Sequence, residues 1–174
     1  MSKVLYNTKY LQLKSTSNNW VYAHRPNAND VVVILPVTED EVLFLIEERP
    51  PLQAENKGKY SIAVPAGLVG DERLGESIDD AIKAELREEA GLESQDIKIV
   101  AKNVASSAGC VSETVTLAIA KINNKEPVYP VVNDGGVIVD RIWVKKSDIK
   151  DWLRNKEQEG YILTAQTLAV LYYL

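Results

Sequence analysis

Glu85, Glu88 and Glu89 lie in the stretch Ser77–Ala90 at spacings of three and four residues. At about 100° per residue the stretch reads as a helix with an apolar stripe formed by Ile78, Ala81, Ile82 and Leu86. Lys83, Arg87, Asp79 and Asp80 fall mostly away from the centre of that stripe, as a solvated face should. Glu85 and Glu89 do not. They share the arc of Ile78 and Ile82, with Glu88 at its margin. Like charges at this spacing repel by a few tenths of a kcal/mol, and turning them inward adds a desolvation cost. A hard divalent cation would relieve both penalties. Mg²⁺ takes oxygen ligands and shares its shell with water and substrate phosphates. The alternative is an ordinary acidic helix whose carboxylates are solvated or met by Lys83, Arg87 and lysines from elsewhere.

Other elements must hold such a helix in place. Ser77 with Asp80 three residues on forms a capping pair, and Gly91 is placed to end the helix. Val31–Val37 is an almost unbroken apolar run, as expected of a strand covered on both faces. Thr38-Glu39-Asp40 supplies a turn, and Glu41–Ile46 returns as a second strand. Residues 3–13 and 19–24 read as shorter strands around a polar turn at Ser15–Asn19. Arg49–Lys59, with two prolines and a glycine, reads as a loop. A short strand Ser61–Val64 leads into Pro65-Ala66-Gly67. Further strands are expected near Ile97–Lys102, Thr114–Lys121 and Ile138–Val144. Helices are expected at Ser147–Gln158, capped by Ser147, and at Leu163–Leu174. Strands with few helices make the fold class α+β, with helices packed on a mixed sheet.

The composition narrows the function. At 174 residues the chain suits one domain, residues 1–174, without an internal repeat or linker. Apolar residues make up 45% and charged residues 26%, near the globular average, which argues against disorder and coiled coil. No apolar run reaches the roughly 18 residues of a membrane span. The N-terminal residues lack an apolar signal core, and the one cysteine, Cys110, has no intramolecular disulfide partner. Both features point to a cytoplasmic protein. A net charge of −5 disfavours nucleic-acid binding through bulk electrostatics.

The run Glu76-x8-Glu85-Leu86-x-Glu88-Glu89-x-Gly91-Leu92, with Gly70 upstream, resembles the Nudix box. Its pattern is Gly-x5-Glu-x7-Arg-Glu-U-x-Glu-Glu-x-Gly-U, where U is aliphatic. One specified position differs: Ala84 stands where the family has an arginine that helps orient the metal-binding glutamates. Lys83 and Arg87 flank it on other faces of the helix. Outside the box, most of the chain resembles the ADP-ribose pyrophosphatase branch of Nudix hydrolases. Pro65-Ala66-Gly67 is similar to that branch's Pro-Ala-Gly turn after a strand, with Gly70–Arg73 as a small insertion after it. Glu48-Arg49-Pro50 is similar to its Gln-x-Arg-Pro segment, and Trp20–Arg25 to a strand bearing a base-stacking aromatic and an arginine. Ser107-Ala108-Gly109 falls where the branch has Ser-Pro-Gly, a proline associated with ADP-ribose specificity.

The resemblance implies a Nudix-type α/β/α sandwich with a mixed β-sheet and an N-terminal antiparallel strand extension. It implies Mg²⁺, with Mn²⁺ as a substitute, held by Glu85, Glu89, the main-chain carbonyl of Ala66, and Glu88 as ligand or orienting partner. Arg25 and Arg49 would bind phosphate oxygens and Trp20 a purine, although Trp20 could equally be core. The catalytic base would be Glu113 or Asp134. The expected reaction is hydrolysis of a nucleoside diphosphate sugar, ADP-ribose giving AMP and ribose 5-phosphate. Ala108 keeps GDP-mannose as the nearest alternative. A Nudix-fold module that binds without turnover is the alternative from another class, favoured by Ala84 and by a late loop, Asn133–Gly136, without glutamate. The branch further implies a homodimer formed through the N-terminal strands. His24 is expected to pack or lie at the surface, and Cys110 has no apparent base beside it.

Overall fold

A computed structural model describes residues 2–28, 30–70, 75–131 and 137–174. The central apolar run forms β4 (Asp30–Val37) and β5 (Glu41–Glu48). Successive strand residues point to opposite faces. Val32, Ile34, Leu43 and Leu45 therefore enter one core, while Val33, Leu35, Val42, Phe44 and Ile46 enter a second. Burial on both sides is why neither strand alternates with polar residues. Thr38 closes the turn between them: its N–H donates to the Glu41 carbonyl, and its Oγ1 accepts from the Glu41 N–H, each at 2.9 Å.

Strands β6 (Tyr60–Ala63), β7 (Ala66–Val69), β8 (Asp96–Ala105), β9 (Thr114–Lys121), β10 (Ile138–Lys145) and β11 (Ile162–Leu163) complete an eight-stranded sheet among the described residues. Its main path runs β11-β6-β5-β4-β9-β8, with β10 on β5 and β7 on β4. The pairs β4–β9 and β11–β6 are parallel, the others antiparallel. Only Val37 and Val42 are in register between β4 and β5, so each strand takes a further partner beyond the hairpin and the sheet curls.

Three helices cover the two faces. α2 (Ile78–Ala90) buries Ala81, Ile82, Leu86 and Ala90 against the first core. α3 (Ile149–Gln158) and α4 (Ala165–Leu171) bury Ile149, Leu153 and Val170 against the second. The result is the expected α/β/α sandwich of class α+β. α2 has the ends its sequence calls for. Ser77 Oγ accepts the Asp80 N–H at 3.1 Å, and Gly91 closes the helix with φ of 70°. A side chain at Gly91 would be excluded twice, because a Cβ there would lie 2.9 Å from Pro127 Cβ and from the Tyr129 carbonyl oxygen.

Several boundaries differ from the sequence expectation. Residues 3–13 split into β1 (Lys3–Asn7) and the start of β2 (Gln12–Ser15), because Thr8 Oγ1 accepts the N–H groups of Tyr10 and Leu11 and forces a turn. Within Arg49–Lys59, two prolines at the first positions start the short helix α1 (Pro50–Ala54). Pro65-Ala66-Gly67 is not a free turn, since Ala66 opens β7 opposite Val33. Ser147 does not cap α3: Asp148 holds that position, and the Ser147 hydroxyl donates to its carboxylate at 2.6 Å. The last helix is shorter than 163–174, because Leu163 pairs with Ile62 in the sheet and Thr164 becomes the cap. The first two strands and β3 (Val21–His24) form a separate three-stranded antiparallel sheet, with β1 exposed along its whole length. No helix among the described residues is long and apolar enough to cross a membrane.

Candidate active site

Two carboxylates one helical turn apart converge on β7. The Ala66 N–H donates to Glu89 Oε2 at 2.9 Å. Beside it, a Cβ placed on Gly67 would lie 1.7 Å from Glu85 Oε1, so the Glu85 carboxylate occupies the space a side chain would take. Both carboxylates are half-buried, whereas Glu88 is exposed. The inward arc of the helix reading thus holds for Glu85 and Glu89, and Glu88 lies outside it.

The setting of Glu89 is unfavourable for an anion without a cation nearby. Burial pushes its carboxyl up to about 7 from an ordinary 4.5, and the negative charge of Glu47 adds to the rise. The Ala66 N–H, Arg49 and Arg141 act in the opposite direction without cancelling it. Glu47 itself is only 2% exposed at the end of β5, its carboxyl raised by burial and held by Arg49, whose Nη2 lies 2.6 Å from Glu47 Oε2. Among the described residues no three His, Cys, Asp or Glu side chains are grouped to hold a metal on their own. Mg²⁺ does not require that, because one or two carboxylates with water and substrate phosphate complete its shell. The hard oxygen donors of Glu85 and Glu89 at the Ala66–Gly67 segment fit such an ion, and its charge would offset the crowding at Glu89.

A cleft of about 490 Å³ opens beside this segment. Arg25, Arg49, Ala66, Gly67, Glu113 and Gln166 line it. Arg25 and Glu113 come together because β3 is clamped to the segment 106–113: the Ala23 N–H donates to the Cys110 carbonyl at 2.8 Å, and the Ser112 N–H to the Ala23 carbonyl at 3.0 Å. Arg25 Nε then lies 3.0 Å from Glu113 Oε2. Trp20 is not core. It is 62% exposed, its Nε1 donates to the Gly109 carbonyl at 2.7 Å, and it stands outside the cleft lining, next to the segment that carries Ala108. Asp134 lies outside the described residues.

No protein-family profile and no curated protein sequence matches the chain. Among solved structures it aligns with a crystal structure of an ADP compounds hydrolase, with a TM-score of 0.73. The alignment covers 99% of this chain and 88% of that one, at 18% identity. The fold is of the Nudix type.

Within this Nudix-type fold, two residues next to Glu89 escaped the sequence reading. Glu47 continues the parity of Leu43 and Leu45, which face α2, so strand alternation would have turned it inward. The expected strand stops at Ile46, one residue short of it. Arg141 gives no local signal, because its proximity to Glu89 arises from the pairing of β10 with β5. Other residues have supporting roles. Glu76 Oε2 accepts the Gly70 N–H at 3.0 Å, and His24 Nδ1 lies 2.9 Å from Ser112 Oγ, with burial lowering the imidazole pKa ahead of Lys14. Cys110 is exposed, 3.1 Å from Ser107 Oγ.

Proposed function

We propose that the protein is a Mg²⁺-dependent nucleoside-diphosphate-sugar pyrophosphatase that hydrolyses ADP-ribose with water to AMP and ribose 5-phosphate. One observation carries the reading: Glu85 and Glu89 meet the Ala66–Gly67 segment, and that segment lines a cleft together with Arg25 and Arg49, the two carboxylates standing behind the lining. Glu85, Glu89 and the Ala66 carbonyl would hold the metal, with Glu88 as a further ligand or orienting partner. When bound, Mg²⁺ supplies charge neutralisation for the diphosphate and a lowered pKa for the attacking water. Arg25 and Arg49 hold phosphate oxygens through their planar donor forks. Glu47 keeps the Arg49 guanidinium at the cleft. Glu113, already in the cleft, and Asp134 are the two candidates for the base that takes the water proton. Trp20, exposed at the Ser107–Gly109 segment, would stack on the purine. Mn²⁺ would substitute for Mg²⁺.

The proposal includes a single domain in the cytoplasm, supported by the lone free cysteine, and a homodimer formed through β1–β3. Ala108, in place of the branch's proline, supports GDP-mannose as the alternative substrate. Ala84 supports the alternative of a binding module without turnover. The test is Mg²⁺-dependent hydrolysis across ADP-ribose, GDP-mannose, UDP-glucose, NADH and diadenosine polyphosphates, with EDTA as control. EDTA-sensitive release of AMP, fastest from ADP-ribose, is expected. Preference for GDP-mannose corrects the substrate, and ligand binding without turnover of any diphosphate replaces the enzyme with the binding module.

A further inference from the structure

Glu89 lies in the last turn of α2, and its carbonyl has no intrahelical partner, as at any helix C-terminus. That end also carries the negative pole of the helix dipole, which a cation stabilises. Arg141 meets both features. It stands opposite Leu45 across the β10–β5 pair, and Leu45 belongs to the core covered by α2, so Arg141 shares that face. Its Nε donates to the Glu89 main-chain oxygen. Its charge also attracts the Glu89 carboxylate, at the cost of partial desolvation of the guanidinium. Among the described residues its Nη2 is buried with no hydrogen-bond partner. The cations of α2 itself do not do this work: Arg87 is exposed, with its guanidinium 5.1 Å from the centre of the Tyr129 ring.

We propose that Arg141 is a positioning residue, fixing the last turn of α2 and the Glu89 carboxylate so that Glu89 presents a preset oxygen to the metal. The proposal rests on the reading of Glu89 as a metal ligand. Partners behind a metal ligand typically change metal affinity or activity by roughly 10- to 100-fold when lost. A purely structural arginine would lower the melting temperature and leave both unchanged.

The experiment compares wild type with Arg141→Met, which keeps the length and loses the charge, and with Arg141→Lys. Mn²⁺ affinity is read on substrate-free protein by the EPR signal of the unbound ion, alongside kcat and KM for ADP-ribose and the melting temperature. Arg141→Met is expected to weaken Mn²⁺ binding and lower kcat by roughly 10- to 100-fold, with KM held within about threefold. Arg141→Lys, which lacks the planar fork, is expected to lose at least about fivefold in Mn²⁺ affinity. A folded Arg141→Met with wild-type Mn²⁺ affinity overturns the proposal. If that variant does not fold, wild-type affinity in Arg141→Lys overturns it instead. Wild-type protein that binds Mn²⁺ but hydrolyses none of the diphosphates overturns the proposed reaction alone, and the Mn²⁺ comparison still decides the role of Arg141.

Discussion

Glu89 receives one N–H bond from Ala66, yet burial and the charge of Glu47 leave its carboxyl at about 7 in the metal-free protein. Its ordinary value is 4.5, so between the two values the folded chain holds a proton that the unfolded chain has released. Stability tied to this group is therefore complete below about pH 4.5 and is lost as pH rises toward 7, by an upper bound of about 3 kcal/mol. In EDTA, wild-type stability is expected to fall between pH 5 and 7.5, and Glu89→Gln to remove most of that slope. Denaturant titrations at several pH values measure this, and an unchanged slope in the variant contradicts it. Mg²⁺ should restore stability chiefly at the upper end of the range, because a coordinating carboxylate must be deprotonated. The i, i+4 spacing of Glu85 and Glu89 made their inward direction legible in the sequence. Strand parity carries the inward direction of Glu47, but its nearness to Glu89, and that of Arg141, come from elements distant in the chain and were not legible.

At the scale of elements, the close approach of α2 to β7 sets the site. The carboxylate of Glu85 lies where a side chain on residue 67 would be, and it is the flexible end of its own side chain. Gly67→Ala should therefore displace Glu85 without unfolding the sheet, costing less than about 1 kcal/mol of stability. The same variant is expected to lower kcat roughly 10- to 100-fold through misplacement of a ligand. A Gly67→Ala enzyme with full activity would separate Glu85 from the chemistry. Local chemistry made α2 readable: Ser77 and Gly91 cap it as their sequence implies. It misled at Ser147, whose hydroxyl turns to the neighbouring Asp148. Ala66-Gly67 read as a turn because no local pattern reports the pairing of Ala66 with Val33 on β4.

At the scale of the molecule, the two-sided apolar runs made the central sheet legible, while its curl depends on strand pairings that no single segment encodes. The three-stranded N-terminal sheet leaves Val4, Leu5, Tyr6 and Leu13 exposed, and it also carries the clamp that brings Arg25 to Glu113. The proposed homodimer would cover those side chains, which a monomer would leave in water. Sedimentation at micromolar concentration is expected to return a dimer, and Leu5→Lys with Tyr6→Lys to return a monomer. A monomeric wild type contradicts the dimer. Under the proposed function, Glu85 and Glu89 bind the cation that makes the neighbouring cleft a diphosphate-hydrolysing site. The most direct measurement is Mg²⁺-dependent AMP release from ADP-ribose by wild type and by a folded Glu89→Gln. Removal of a metal ligand is expected to cost on the order of 10³-fold in rate, several kcal/mol of transition-state stabilisation. Turnover in the variant within a few-fold of wild type would contradict the metal assignment and the account built on it.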